Sequence, residues 1–285
     1  MTVAINAIAA ADLPAVGRFL HTHLNRRVPA AAWERAARPP WQAFAPNHGF
    51  LLRDGEVIVG AYLAFYSERV IDGRPERFCN LGAWCVLPDY RFHAPRLLRA
   101  LLAQDGFHFT DLSPSGNVPA INTRLGFRPL DTATALVPNL PWPTWPGRRR
   151  ISSAPAVVEQ NVAGHDRVLY HDHAEAAAAR HVILVDGQRS CYVIFRRDRR
   201  KGLPLFASIL YVSDPAVLHD MARQFSRHLL LRHGVLVTLV ESRLIGRPPR
   251  WSFSLAAPRP KMFKSERLTA DKIDNLYSEL VCVRW

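Results

Sequence analysis

Two polar side chains, Asp111 and Asn122, lie on either side of a short polar loop in the first half of the chain. The apolar run Phe107–Leu112 is typical of a strand, and Asp111 comes near its end. The segment Asn117–Phe127 predicts one short helix that ends at Gly126, because glycine adopts the left-handed backbone conformation at little cost. A carboxylate can accept a proton, whereas an amide can donate a hydrogen bond but cannot act as an acid. A lone aspartate at the end of a strand is more often a loop or turn anchor, and a substrate-facing carboxylate is the alternative for Asp111.

A second strand and helix come before this segment. The mostly apolar run Phe78–Val86 predicts a strand, and the leucines within 97–102 recur at helical spacing. The connection between them carries the pair Tyr90-Arg91 and contains no glycine after Arg91. The chain therefore places a strand, a basic loop, a helix and a second strand directly before the short helix.

The whole order, with Val86-Leu-Pro-Asp-Tyr-Arg91 and Ile121-Asn-Thr-Arg-Leu-Gly-Phe127, resembles the GCN5-related N-acetyltransferase (GNAT) family. The resemblance covers residues 3–135 and is strongest over 78–130. It implies that the short helix lies beside the pantetheine arm of an acyl-coenzyme A. It also implies that the loop before the first helix faces the pyrophosphate, which backbone N–H groups at a helix N-terminus usually bind.

The resemblance assigns acyl-CoA contacts to the strand end, to the loop and to the start of the short helix. The family's loop reads Arg-x-x-Gly-x-Gly/Ala, whereas here Ala94 and Arg96 take the two glycine positions and Pro95 removes a donor. We expect the loop arginines to pair with phosphate through their charge instead. The predicted cofactor-binding residues are Cys85, Val86, Arg91, Ala94, Arg96 and Asn117.

Many family members carry a tyrosine, which protonates the leaving thiolate, at the position that Asn122 occupies here. On the resemblance, Asn122 donates a hydrogen bond to that thiolate, and Asp111 faces the substrate. The predicted catalytic residues are therefore Asn122 and Asp111. The expected donor substrate is acetyl-CoA or another acyl-CoA, and the expected acceptor is a small-molecule or peptide amine. An acyl carrier protein is a further candidate partner.

Other polar residues have simpler interpretations. Glu68 is expected to be a solvated charge, and Asn80 to be an exposed position on an alternating strand. The three histidines at 165, 171 and 173 are expected at the surface, because 171 and 173 do not share one helix face. We predict no metal site.

Composition limits the class of protein. With 48% apolar and 21% charged residues in 285, the chain has the composition of an ordinary globular protein, and no run approaches a membrane span of about 20 apolar residues. Residues 1–11 lack the basic start of a signal peptide and predict a first strand, followed by a helix capped at Asp12. The four scattered cysteines are expected to be buried, reduced thiols. A cytoplasmic location is expected.

The basic excess, 13 charges, has three explanations. It could reflect a biased genome composition, a surface for polyanionic donors such as CoA or an acyl carrier protein, or nucleic-acid binding. The runs Arg148–Arg150 and Arg196–Lys201 favour nucleic acid locally, but no aromatic stacking ladder accompanies them. We therefore do not expect a nucleic-acid partner.

The chain repeats the order hairpin, strand, helix, strand, with Asp54-Gly55 and Asp186-Gly187 at corresponding hairpins, each predicting a type I′ turn. A Pro/Trp-rich linker, 138–150, separates a GNAT-like unit, 1–137, from a second unit, 151–285. The second unit has no Tyr-Arg pair, its helix is expected to begin at an Asp214 N-cap, and its tail is expected to dock on it. The predicted fold is α/β, with two tandem GNAT-like units of mixed, mostly antiparallel sheets flanked by helices.

The function predicted from these features is transfer of an acyl group from acyl-CoA to an amine by the first unit. The alternative is a non-catalytic binding or scaffold protein that has kept the fold and lost the cofactor. The loop without glycine favours the alternative, and the Asn117–Phe127 segment favours the enzyme.

Overall fold

The computed structural model describes residues 3–144, 147–200 and 202–284, so that the middle of the predicted linker, Trp145 and Pro146, and Lys201 of the basic run lie outside the described residues. Fourteen strands are described in this part of the chain. They are β1 Ala4–Ala7, β2 Gly49–Asp54, β3 Val57–Ile71, β4 Arg74–Val86, β5 His108–Asp111, β6 Arg128–Pro129, β7 Thr134–Pro138, β8 Arg149–Ser152, β9 Ala179–Asp186, β10 Arg189–Arg200, β11 Leu203–Val212, β12 Val237–Glu241, β13 Phe253–Ser254 and β14 Met262–Lys264.

Helices connect and flank these strands. The α-helices are α1 Leu13–His23, α2 Ala30–Ala36, α3 Ala94–Leu102, α4 Val118–Arg124, α5 Pro155–Asn161, α6 Gly164–His173, α7 Pro215–Asp220, α8 Ala222–His233, α9 Ser242–Ile245 and α10 Glu279–Cys282. The predicted first strand and the helix after Asp12 are both present as β1 and α1. Asp214 caps α7 as predicted, because its carboxylate accepts the N–H groups of Ala216 and Val217. None of the described helices is long and apolar enough to cross a bilayer.

The strands form two seven-stranded sheets of the same design. The first has the order β1-β2-β3-β4-β5-β14-β6, and the second has the order β8-β9-β10-β11-β12-β7-β13. In each sheet the pair in the middle is parallel, β4 with β5 and β11 with β12, and the other described pairs are antiparallel. The predicted α/β fold with mixed, mostly antiparallel sheets is therefore confirmed.

The two sheets exchange one strand each. β7 leaves the first half of the chain and pairs with β12 of the second sheet, and β14 returns from the tail and pairs with β5 of the first. The end of the tail nevertheless contacts the second unit, since the N–H of Ala178 donates to the carbonyl of Val281 and Arg196 donates to that of Leu280. The expectation that the tail docks on the second unit is therefore correct for this end and wrong for β14. The apolar end of the chain, 276–283, forms a turn at Tyr277 and the buried helix α10.

The hairpin turns differ from the prediction in one respect. Gly55 and Gly187 have positive φ angles of 56° and 64°, but the residues after them do not, so neither Asp-Gly hairpin is a type I′ turn. Two positive φ angles occur instead at Asp72-Gly73, 50° and 77°, where β3 turns into β4. β3 and β4, which this turn connects, are long strands at the centre of the first sheet.

One apolar cluster joins the two halves. Tyr192 and Ile194 on one face of β10 belong to the same buried cluster as Trp33 of α2 and Leu280 of α10. The C-terminal segment thus lies between the sheets, and burial there removes a large apolar area from water. This packing brings Glu279, far away in sequence, to the centre of the first sheet.

Candidate functional site

The centre of the site is the region where β4 and β5 separate, which is called the β4–β5 cleft below. The two strands pair only from Phe78 to Asn80 in the described chain, although β4 continues to Val86. Within the unpaired part, one residue of β3, Tyr62, lies opposite two residues of β4, Ala83 and Trp84, because the register shifts there. Ala83 has a φ of 57°, so a β-bulge interrupts the strand beside the cleft.

Asp111 is the last residue of β5 and lies where the two strands part. Its side chain is 3% exposed. The pKa of Asp111 is raised to about 7, because burial penalises the carboxylate and Glu279 adds like charge, while hydrogen bonds from Asn122 and Ser113 oppose the rise. A carboxyl group that titrates near neutral pH can take a proton from an amine under physiological conditions.

Glu279 is the second carboxyl group of the site. Its Oε2 accepts from Asn80 Nδ2 at 2.5 Å, and its Oε1 accepts from Ser113 Oγ at 2.5 Å. Burial raises the pKa of Glu279, although these donors act in the opposite direction. Gly82 makes room for it, since a Cβ there would meet Glu279 Oε2 at 3.0 Å. The cluster thus combines two buried carboxyl groups from distant parts of the chain.

Tyr62 supplies an O–H group to the same cluster. Its ring stacks on Trp84 with the ring centroids 4.7 Å apart. Burial, then Asp111 and then Glu279 raise the pKa of Tyr62 well above its ordinary value, so the phenol keeps its proton at neutral pH. Tyr62 Oη and Trp84 Nε1 are buried and have no hydrogen-bond partner among the described residues. Buried polar atoms without partners are rare and are often found at functional sites.

Asn122 projects from α4 toward Asp111, as the sequence predicts for two residues of one site. Its Nδ2 donates to Asp111 Oδ2 at 2.9 Å, and the side chain is fully buried. Its Oδ1 has no partner in the described part of the chain. Gly126 ends this helix region with a φ of 86°, the conformation expected for the glycine after the helix.

The residues predicted to hold the pyrophosphate lie along the loop before α3. Pro88–His93 forms a 3₁₀-helix in which the N–H of Tyr90 donates to Leu87 and the N–H of Ala94 donates to Arg91. These two N–H groups are therefore not free to bind phosphate. Arg91 is exposed, whereas Arg96 is half-buried and donates to the carbonyl of Val3 at 2.8 Å.

The remaining predicted contact residues lie at the end of β4 and at the start of α4. Cys85 is buried, which raises the pKa of its thiol to about 11, and Val86 beside it is half-buried. Asn117 occupies the N-cap position of α4, but its exposed side chain makes no capping hydrogen bond. The structure thus places Cys85, Val86 and Asn117 around the strand end and helix start, and it leaves Arg91 on the outer side of the loop.

The second sheet repeats this arrangement with different electrostatics. Glu241 ends β12 as Asp111 ends β5, and the short helix α9 follows and ends at Gly246 with a φ of 74°. Lys261 forms a buried ion pair with Glu241, and Arg243 Nε lies 2.7 Å from its Oε2. Although burial opposes ionisation, these two cations hold the pKa of Glu241 below its ordinary value. Glu241 is thus held in two ion pairs, whereas Asp111 has no ion-pair partner among the described residues.

Three simpler expectations are also decided. Glu68 is exposed and lies 3.4 Å from Arg77, as expected for a solvated charge. Asn80 is 2% exposed, so the expectation of an exposed position is wrong; its amide is turned inward to Glu279. His173 is fully buried and accepts the N–H of Tyr277, so it is not a surface histidine as expected. No cluster of potential metal ligands occurs among the described residues.

Sequence reasoning missed Tyr62 and Glu279. Tyr62 lies in a continuous apolar run, 57–66, where an aromatic residue is expected in any core strand. Glu279 lies 199 residues from Asn80, and only the inserted tail brings the two together. The one available signal was a charged residue within the otherwise apolar end of the chain, Leu276–Val283.

The architecture matches solved acyltransferase structures. No protein-family model matches the chain, and no curated protein matches it in sequence. The chain is similar to a GCN5-related N-acetyltransferase from Anabaena variabilis, with a TM-score of 0.58 and 11% identity over 92% of this chain and 72% of that one. It is also similar to Saccharomyces cerevisiae N-myristoyltransferase with bound myristoyl-CoA, with a TM-score of 0.54 and 10% identity over 97% of this chain and 83% of that one.

The chain has the GNAT fold. A third similar structure, Eis1 from Mycobacterium abscessus, has a TM-score of 0.51 and 16% identity over 91% of this chain and 73% of that one. At these identities the GNAT likeness concerns the fold, and a fold by itself does not determine an activity. The chemistry must be argued from the cluster around Asp111.

Proposed function

We propose that the first unit, 1–137, is an N-acyltransferase that moves an acyl group, with acetyl as the first candidate, from acyl-CoA to an amine. The observation that supports this most is a buried carboxyl group with a pKa of about 7 at the point where β4 and β5 separate, the strand β4 being the one with the bulge at Ala83. The fold neighbours are acyltransferases, one of them with bound myristoyl-CoA. The second unit, 151–285, would contribute the tail that completes the site.

In this proposal different residues of the cluster carry out the two proton transfers, from the amine and to the thiolate. The donor supplies an acyl thioester, the amine nitrogen forms the new C–N bond, and the C–S bond breaks. Asp111 accepts the proton that the amine loses. Tyr62, which keeps its proton at neutral pH, gives that proton to the departing thiolate, and the proton that Asp111 has accepted then restores the phenol. Asn122 holds Asp111 with one N–H and keeps a second N–H for the thiolate, as the sequence predicts.

The cleft supplies surfaces suited to the donor. β4 beyond Asn80 has no strand partner on its β5 side in the described chain, so an extended polar chain such as pantetheine can add to that edge. Cys85, Val86 and Asn117 lie along this edge in the proposal. Arg91 and Arg96, with Ala94 between them, face the phosphates, although Arg96 must share its guanidinium with the carbonyl of Val3. A small-molecule or peptide amine is the acceptor, and an acyl carrier protein is the alternative acyl carrier.

A non-catalytic binding protein is the second candidate. The observation that favours it is the 3₁₀-helix Pro88–His93, because the N–H groups of Tyr90 and Ala94 already donate to backbone carbonyls. A phosphate-binding loop of the usual kind needs such N–H groups free.

A thiol-release assay separates the two candidates. Acetyl-CoA and longer acyl-CoAs are incubated with a panel of amines, and free CoA is measured. The enzyme predicts amine-dependent release that Asp111→Asn greatly reduces. Release that is absent for every donor and amine, from protein shown to be folded, would support the binding protein.

A further inference from the structure

A small cavity between the two sheets contains an arginine with free hydrogen-bond donors. The cavity has a volume of about 60 Å³, enough for a few atoms, and Arg196 of β10 forms part of its wall. Arg196 is only 2% exposed although it carries a charge. It lies on the face of β10 that packs against the inserted tail, as do Tyr192 and Ile194.

The guanidinium of Arg196 is only partly paired. Its Nη1 donates to the carbonyl of Leu280 at 2.9 Å. Its Nε and Nη2 are buried and have no hydrogen-bond partner among the described residues. These two nitrogens form one edge of the planar guanidinium, and their N–H bonds are parallel, which is the arrangement that binds both oxygens of a carboxylate. The edge is thus shaped for a bidentate anion.

The acidic residues of the cavity are paired elsewhere. Asp198 accepts from Ser208 Oγ at 3.0 Å and from the N–H of Arg199 at 2.9 Å. Glu241 is held by Lys261 and Arg243. Arg259, which is half exposed, also faces the cavity and lies 3.8 Å from Asp198. Three cations, Arg196, Arg259 and Lys261, and two carboxylates, Asp198 and Glu241, therefore line the cavity.

The cavity adjoins the carboxyl cluster. Ser113 forms part of the cavity wall, and its hydroxyl donates to Glu279. Leu280, which accepts from Arg196, directly follows Glu279 in the chain. An anion at Arg196 would therefore lie on the side of the cluster that faces the second sheet, away from the β4 bulge.

We propose that Arg196 binds the carboxylate of the acceptor, so that the substrate is an amine that also carries a carboxylate, such as an amino acid or a short peptide with a free carboxyl end. The assignment to the acceptor rests on the proposed acyl transfer, whereas the carboxylate site itself does not. The site is formed by the second sheet, so the second unit has a role in recognition.

Carboxylate binding is measured first, by thermal unfolding in sodium acetate and in sodium chloride at equal ionic strength and pH 7. Wild type is compared with Arg196→Met, and with the control Arg197→Met, an exposed neighbour on the other face of β10. We expect acetate to raise the melting temperature above that in chloride for wild type and the control, but not for Arg196→Met. Equal melting temperatures of wild type in the two salts, or an unchanged acetate effect in Arg196→Met, would overturn the site.

Arg196→Lys covers the case in which Arg196→Met does not fold. Lysine keeps the charge but presents no fork of parallel donors. We expect Arg196→Lys to fold and to lose most of the acetate effect. A full acetate effect in this variant would overturn bidentate recognition.

The acceptor is tested with acetyl-CoA by thiol release. Glycine, β-alanine and 4-aminobutyrate are each compared with the corresponding amide, which keeps the amine and removes the carboxylate charge. We expect kcat/KM of wild type to favour the best carboxylate over its amide by about tenfold or more, as for a lost charge-assisted hydrogen bond. Arg196→Lys should reduce this preference, and Arg197→Met should keep it.

A failure of the acceptor assignment can be distinguished from a failure of the proposed acyl transfer. Thiol release without any preference for carboxylates would refute the acceptor assignment and leave acyl transfer intact. No release with any amine would refute the acceptor assignment together with the proposed function, and the acetate experiment alone would then decide whether Arg196 binds carboxylates.

Discussion

Replacement of Asp111 by asparagine tests the electrostatics of the site while it keeps the hydrogen bond from Asn122. Asparagine has the same shape, and its Oδ1 can still accept from Asn122 Nδ2, which is 2.9 Å from Asp111 Oδ2 in the wild type. The wild-type carboxyl has a pKa of about 7 in the folded protein, against an ordinary value of 3.8. The folded state therefore disfavours the ionised form, and ionisation costs stability.

The sign and size of the effect on stability follow from the difference between the folded and the ordinary pKa of Asp111. A raised acid pKa means that wild-type stability falls as the pH rises from about 4 to about 7 and is level above that. The full cost is about 4 kcal/mol at roughly 1.4 kcal/mol per pH unit. Between pH 5 and pH 8, the free energy of unfolding of Asp111→Asn should rise relative to wild type by about 2.5 kcal/mol.

Urea unfolding, followed by tryptophan fluorescence at several pH values, measures this difference. Asp105→Asn, which changes an exposed carboxyl, is the control and should show no such pH-dependent gain. Glu279→Gln should move the Asp111 transition to lower pH, because it removes a like charge. A difference between Asp111→Asn and wild type that stays constant from pH 5 to pH 8 would refute the reasoning.

Three further predictions concern single side chains. Tyr62→Phe removes a buried hydroxyl without a described partner, so it should leave the melting temperature equal or higher. It should also lower kcat about 100-fold, the size expected for a lost general acid. A loss of stability with normal kcat would contradict this prediction. Asn122→Ala should lower kcat with little change in acyl-CoA affinity, and Asn122→Asp should be worse, whereas normal turnover of a less stable protein would leave Asn122 only a packing role. Arg91→Ala should weaken acetyl-CoA binding about tenfold in calorimetry and reduce its salt dependence, whereas the control Arg99→Ala, exposed on α3, should not; equal constants for both variants would rule out Arg91.

Much of the first unit could be predicted because its signals are local. The strand, helix, strand order around 78–130 and the glycine at 126 follow from hydrophobic periodicity and from the conformational freedom of glycine, and both are present. Asp111 and Asn122 were predicted as members of one site, and a hydrogen bond joins them. The residues that interact in this part of the chain are close to one another in the sequence, so local patterns are enough to predict that they meet.

The strand exchange could not be predicted in the same way. β14 is three residues long, Met262–Lys264, and nothing in such a short segment distinguishes pairing with β5 from pairing with β12. The choice depends on tertiary packing, which overrides local propensity in short strands. For the same reason the positions of Glu279 and of Arg196, which donates to Leu280, were not predicted, and Asn80 was placed at the surface although its partner is Glu279.

The central claim is that acyl-CoA binds to the first sheet, in the cleft between β4 and β5, and that the similar position in the second sheet does not bind it. Hydrogen–deuterium exchange of the intact protein, with and without saturating acetyl-CoA, tests this directly. We predict slower exchange in peptides that cover 82–96 and 113–124, because the donor would cover the strand end, the loop and α4. Unchanged exchange throughout, or protection at 208–216 and 241–246 instead, would contradict the account.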